Sequence, residues 1–178
     1  MGGMLELMMH CHQLVAVEDT LLAMPEVTIP VLPGMEGCHW PFRKADAEGR
    51  KKLLRLVLEG RPVKAADASG WLVDHAGTLE NAVRTAWQVM EQDAAALKPR
   101  PFAEGPVETP DAAEAGLALV DGPLKEARAA IARCVAEACN APVDLAFTVQ
   151  ARHSAAFMTG SLCRKGRLGS DYDKMMKH

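Results

Sequence analysis

The chain has 178 residues, 49% of them hydrophobic and 24% charged, with a net charge of −3 and acids and bases mixed along its length. That length supports one domain with a sizeable core, and the charge balance argues against nucleic-acid binding through bulk electrostatics. No apolar run is long enough to span a bilayer and no basic segment precedes an apolar stretch, so a soluble cytoplasmic protein without membrane contact is expected.

The chain opens Met1-Gly2-Gly3-Met4-Leu5-Glu6-Leu7. Gly2 and Gly3 permit positive φ and a close backbone approach to a ligand. From Met4 to His12 the sequence is unbroken by Pro or Gly and rich in Leu and Met, which predicts a helix. A Gly-rich turn feeding a helix leaves unpaired N–H groups at its positive end, a setting that suits an anion or a developing oxyanion. Glu6 lies just inside this helix. A first-turn acid is also common for the dipole alone, so Glu6 by itself does not mark a site.

From Leu14 to Ala23 the pattern reads as short apolar strands around an acidic turn at Glu18-Asp19. Met24-Pro25-Glu26 is expected to end a strand, with Glu26 among the apolar Met24, Val27 and Ile29. A carboxylate in such surroundings has its charged form disfavoured, the condition for a general acid near neutral pH. An edge-strand glutamate facing water is the plainer alternative. Two glutamates together with a Gly-Gly helix start say more than any one of the three.

Further on, Ala45 to Glu59 is basic and leucine-rich, with Leu53, Leu54, Val57 and Leu58 on one helical face. Ala65 to Gly70 reads as a short helix closed by Gly70. Leu79 to Leu97 is expected to be a helix carrying Val83, Trp87 and Met90. Lys98 to Pro110, with Pro99, Pro101, Pro106 and Pro110, reads as a surface connector. Leu124 to Cys139 and Val143 to Thr159 form two amphipathic helices, with Pro142 either opening the second or breaking one longer helix.

The five cysteines lack the paired spacing of a disulfide scaffold, and Cys134 and Cys139 read as small core residues. His10-Cys11-His12 with Cys38-His39 is the one metal-like cluster, but alternate residues of a helix point apart, and no metal is expected. His39 and Trp40 line a ligand pocket or simply pack. The basic tail Cys163-Arg164-Lys165-Gly166-Arg167 is a solvated tail or a phosphate contact, with Tyr172 nearby.

The stretch Gly2-Gly3-Met4-Leu5-Glu6-Leu7, then Ala16-Val17-Glu18-Asp19-Thr20-Leu21, then Pro25-Glu26-Val27 through Pro33-Gly34 resembles the enoyl-CoA hydratase/isomerase, or crotonase, superfamily. Its members typically show Gly-Gly-Gly-x-Glu-Leu-Ala, Ala-Glu-Asp-Ala-x-Phe and Pro-Glu-Val-x-Leu-Gly-x-x-Pro-Gly. Leu56 to Asp74 is similar to the family's later helix and Gly-Leu-Val-Asp pattern. The resemblance covers about the first ninety residues and places Met1 in the middle of the family's domain. Met4 stands for the third glycine, Met24 for Gln and Pro30 for a glycine, and Glu36-Gly37-Cys38-His39-Trp40 replaces the usual Gly-Gly-Thr-Gln-Arg-Leu run.

The resemblance implies an α/β crotonase-like fold: a partial ββα spiral core over residues 1–44, a helical part of the same domain over 45–97, the Pro-rich connector over 98–123, and a C-terminal helical lid and oligomerisation region over 124–178. It implies a hydratase acting on an α,β-unsaturated acyl-CoA thioester, with no cofactor beyond the coenzyme A of the substrate. Glu6 and Glu26 would hold the water, Gly3 would supply one oxyanion N–H, and Gly2, Pro25 and Gly34 would shape the substrate site. Both carboxylates favour water addition over double-bond migration. An isomerase, an acyl-CoA hydrolase, and a non-catalytic remnant acting in oligomerisation are the alternatives. A homotrimer or hexamer, or a complementing crotonase subunit, is the implied partner. A core lacking its front strands leaves apolar surface uncovered, so poor solubility or dependence on a partner is expected.

Overall fold

Asp46 starts the best-formed helix by accepting the Gly49 N–H at 2.7 Å, and Gly60 ends it in the left-handed conformation at φ 68°. In the computed structural model, which describes residues 1–93, 100–115, 124–161 and 163, this helix is α3 (Ala47–Glu59). It follows α1 (Gly3–Met9), β1 (Val15–Val17), β2 (Leu21–Leu22), a 3-10 helix (Pro25–Thr28) and α2 (Trp40–Lys44). After it come β3 (Val63–Lys64), β4 (His75–Gly77), α4 (Leu79–Glu91), α5 (Lys125–Asn140) and α6 (Val143–Thr159).

The strands form two small pairs. β1 runs parallel to β4, with Val15 opposite His75 and Val17 opposite Gly77; β2 runs antiparallel to β3, with Leu22 opposite Val63. The expected acidic turn lies between β1 and β2, closed by the Thr20 N–H on the Val17 carbonyl at 2.9 Å, but its two strands belong to different sheets.

The expected face of α3 is buried: Leu53, Leu54, Leu56, Val57 and Leu58 pack against the 3-10 helix, α2 and α5. Gly60 is required by space as well as by φ. A Cβ there would stand 2.9 Å from Val27 Cγ1, so the end of α3 could not approach the 3-10 helix. Leu5, Met24, Val27, Phe42, Ile131 and Cys134 join this core, and Cys38 and Cys139 are buried in it.

Four sequence expectations are corrected. The first helix stops at Met9, short of His12, where the Lys44 ammonium takes the carbonyls of Met9 and Cys11 at 2.7 and 3.0 Å. Pro25-Glu26 opens a 3-10 helix and does not end a strand, because Pro at the first position is pre-set for a helical turn. Ala65 to Gly70 is a run of turns. Ala65 and Ala66 donate to the Thr20 and Glu18 carbonyls, Ala68 makes one helical bond to Lys64, and the Gly70 N–H turns away to the Val73 carbonyl, so the series stops after one turn. Helix α4 ends at Glu91, with Gln92 extended as its C-cap, and residues 94–97 of the expected helix lie outside the described residues.

Pro142 does open α6, packed against α5. The connector crosses this pair and is fastened by Arg43. Its guanidinium donates to the carbonyls of Ala103 (3.1 Å) and Gly105 (2.7 Å) on the connector, and of Ala138 (3.0 Å) and Ala141 (2.6 Å) at the end of α5.

Candidate active site

Glu6 leaves α1 pointing inward, and its side chain is 2% exposed. Its Oε1 accepts two backbone N–H groups, from Met35 at 2.9 Å and Gly37 at 2.8 Å, both in the turn that follows Pro33-Gly34. Gly37 must be glycine: a Cβ there would meet Glu6 Oε1 at 2.5 Å and Met24 Cε at 2.7 Å. Burial raises the Glu6 carboxyl above its usual range. The N–H groups of the turn and the neighbouring His10 pull it back by favouring the charged form.

Glu26 enters from the first turn of the 3-10 helix and is 7% exposed. Its Oε2 has no hydrogen-bond partner. Burial, and then the charge of Glu6, push its pKa up to about 7, against the lowering pull of its own backbone and of the chain's first amino group. Gly2, at φ 58°, fits against it: a Cβ on Gly2 would stand 3.2 Å from Glu26 Oε1 and 3.9 Å from Pro25 Cδ. Gly3 begins α1, and its N–H has no acceptor among the described residues. The backbone of Gly34 helps to favour the ionised form of Glu6.

The residues singled out in the sequence therefore converge. Glu6, Glu26, Gly2, Gly3, Pro25 and Gly34 come together where α1, the 3-10 helix and the 34–37 turn meet. Such a pair of buried carboxyls in electrostatic contact is chemically able to divide acid and base roles. One is fixed by two donors that prefer its anion; the other is poised to carry a proton near neutral pH.

The sequence reading passed over the residues that hold this arrangement. Met35 and Gly37 act through backbone N–H groups, which carry no residue signature. Gln150, on α6, is 1% exposed and reaches the same turn across 112 residues of sequence. His39 is wholly buried with neither ring nitrogen hydrogen-bonded, and burial lowers its pKa to about 4. Its Nε2 and that of His10 lie 3.8 and 3.9 Å from one oxygen of Glu36, whose φ of 69° is the one left-handed non-glycine backbone among the described residues. Trp40 stacks on His10 at 4.2 Å and leans on Phe102 at 4.5 Å. Among the described residues no group of three metal-ligating side chains is placed to hold an ion. Of the basic tail, Arg164 to Arg167 and Tyr172 lie outside the described residues.

No family model matches the chain. Over 68 residues, 38% of its length, it is 40% identical to a probable enoyl-CoA hydratase of Mycobacterium leprae, of which that stretch is 25%. Over 111 residues it is 32% identical to the peroxisomal bifunctional enzyme of Cavia porcellus, covering 60% of this chain and 14% of that protein. A carnitinyl-CoA dehydratase from Mycobacterium avium superimposes over 93% of this chain and 55% of its own, with a TM-score of 0.57 and 20% identity. The structure of EchA1_1 from Mycobacterium paratuberculosis does so over 93% and 54%, with a TM-score of 0.54. The chain thus spans about a quarter of the curated relatives named first and about half of each similar structure.

Proposed function

From the premise that the chain belongs to the enoyl-CoA hydratase/isomerase (crotonase) superfamily, we propose that its paired carboxyls add water across the double bond of an α,β-unsaturated acyl-CoA thioester. The observation that carries this reading is the pairing itself. Glu6 is buried and held by two N–H groups, and Glu26 is buried beside it with a pKa of about 7 and a free oxygen.

In the proposed reaction Glu6 acts as the base. Its carboxylate takes a proton from a water held between the two groups, and the water oxygen forms a bond to the β-carbon. The π electrons shift toward the thioester carbonyl, whose oxygen gathers negative charge. The Gly3 N–H faces that oxygen and stabilises it, an interaction often worth several kcal/mol. Glu26, carrying its proton near neutral pH, delivers it to the α-carbon. Proton return from Glu6 to Glu26 through solvent restores the starting state, and the net change is the addition of one water.

The test begins with the intact mass of the native polypeptide from its source cells, and proceeds with that polypeptide. Hydration is followed by the loss of the conjugated thioester absorbance. Glu6→Gln and Glu26→Gln should each lower the rate by at least ~10²-fold, the usual scale for a lost acid or base. Turnover that survives both changes sinks the hydratase reading; double-bond migration that tolerates one of them replaces it with an isomerase.

A further inference from the structure

Gln150 is the most deeply buried polar side chain of α6, in a helix whose other buried position among the described residues is Ala146, one turn earlier. A buried carboxamide is costly unless its oxygen and nitrogen both find partners. Here both do. The Gln150 Oε1 accepts the Cys38 N–H at 3.0 Å, and its Nε2 donates to the Pro33 carbonyl at 2.8 Å. The amide orientation follows from chemistry alone, because a backbone N–H only donates and a proline carbonyl only accepts.

Pro33 and Cys38 are the two ends of the turn that holds Glu6. Between them lie Met35 and Gly37, whose N–H groups converge on Glu6 Oε1. The carboxamide therefore bridges the ends of the turn where a direct backbone bond would otherwise close it. The turn also has something to resist: Glu36, at its centre, has the left-handed backbone that non-glycine residues adopt at a cost.

We propose that Gln150 is a positioning residue of the site: its carboxamide clasps the two ends of the 33–38 turn and so sets the two N–H groups that hold Glu6. The proposal rests on the reading of Glu6 as a working carboxylate, but its geometry stands independently of turnover. It also makes α6 part of the site's machinery without contact to the reacting atoms.

The experiment reads the Glu6 carboxyl directly, by the pH titration of its side-chain 13C resonance in the protein carrying all 178 residues. The groups that act on Glu6 are Glu26 from the 3-10 helix, His10 from the end of α1 and Cys38 at the end of the turn, and His10 in turn lies 3.9 Å from Glu36; Gln150→Met leaves all of them in place. Met has the length of Gln and none of its hydrogen bonds. With the clasp gone, the N–H groups that favour the anion drift, and the Glu6 midpoint moves up by about one pH unit. Ala146→Gly, a loosening of the same helix face without a lost amide, leaves the midpoint where it was. An unchanged midpoint in folded Gln150→Met overturns the proposal.

If Gln150→Met does not fold, hydrogen exchange in the unaltered protein decides. The amides of Met35, Gly37 and Cys38 and the Gln150 side chain should open as one unit, and separate opening overturns the clasp. A Glu6 midpoint that moves as expected while Glu6→Gln keeps full turnover would uphold the clasp and reject the hydratase reading.

Discussion

Glu26 couples the chemistry of the site to the stability of the fold. Its pKa of about 7 in the folded protein lies above the ordinary 4.5. Between those values the folded protein holds a proton that the unfolded chain has released. Each rise in pH through that window therefore favours unfolding, and the loss is complete above about pH 7. Its size is on the order of 3 kcal/mol. Glu26→Gln keeps a neutral group in the same space, so its stability should fall less between pH 5 and pH 8, by up to that amount, in urea unfolding curves. Parallel pH profiles for the two proteins would contradict the burial argument. At this scale the sequence was informative where a side chain acts for itself. Glu6, Glu26, Gly2 and Gly3 could be singled out from residue type and local pattern, and the structure brings them together. Gln150 was not, since nothing local marks a glutamine whose partners lie 112 and 117 residues away.

Helix ends divide in the same way. Asp46 and Thr78 accept N–H groups three residues on, Gly60 takes a left-handed φ, and Pro142 precedes α6; each is a local device readable from neighbouring residues. The end of α1 depends on Lys44, and the turns at 65–70 on carbonyls of Glu18 and Thr20, so both were set by tertiary contacts that periodicity does not carry. Arg43 is the largest such device. It is buried, and its charge meets the last carbonyls of α5, the negative end of that helix, while its other arm holds the connector. Arg43→Met retains the apolar stem but leaves these carbonyls unpaired. The expected cost is at least ~3 kcal/mol in urea unfolding, given bonds to a charged donor. Proteolysis should then cut first within 100–110. A variant as stable and as resistant as the parent would show that the connector is held by packing alone.

Over the whole molecule, the core gathers around α3 and α5, and α4 stands apart, packing on β1 and β4. The residues that gave α4 its helical pattern, Leu79, Val83, Trp87 and Met90, are 60–75% exposed among the described residues. Their spacing puts them along one side of the helix as an exposed apolar stripe. Among the described residues the sheet beneath has two strands, too few for independent stability. The 178 residues on their own should therefore bind an apolar fluorescent dye and self-associate. Trp87→Gln with Met90→Gln should reduce both while leaving the thermal midpoint within a few degrees, because exposed side chains contribute little to the core. If the dye ignores the parent chain, or if the double variant collapses the fold, then α4 is already covered and the stripe belongs to the core.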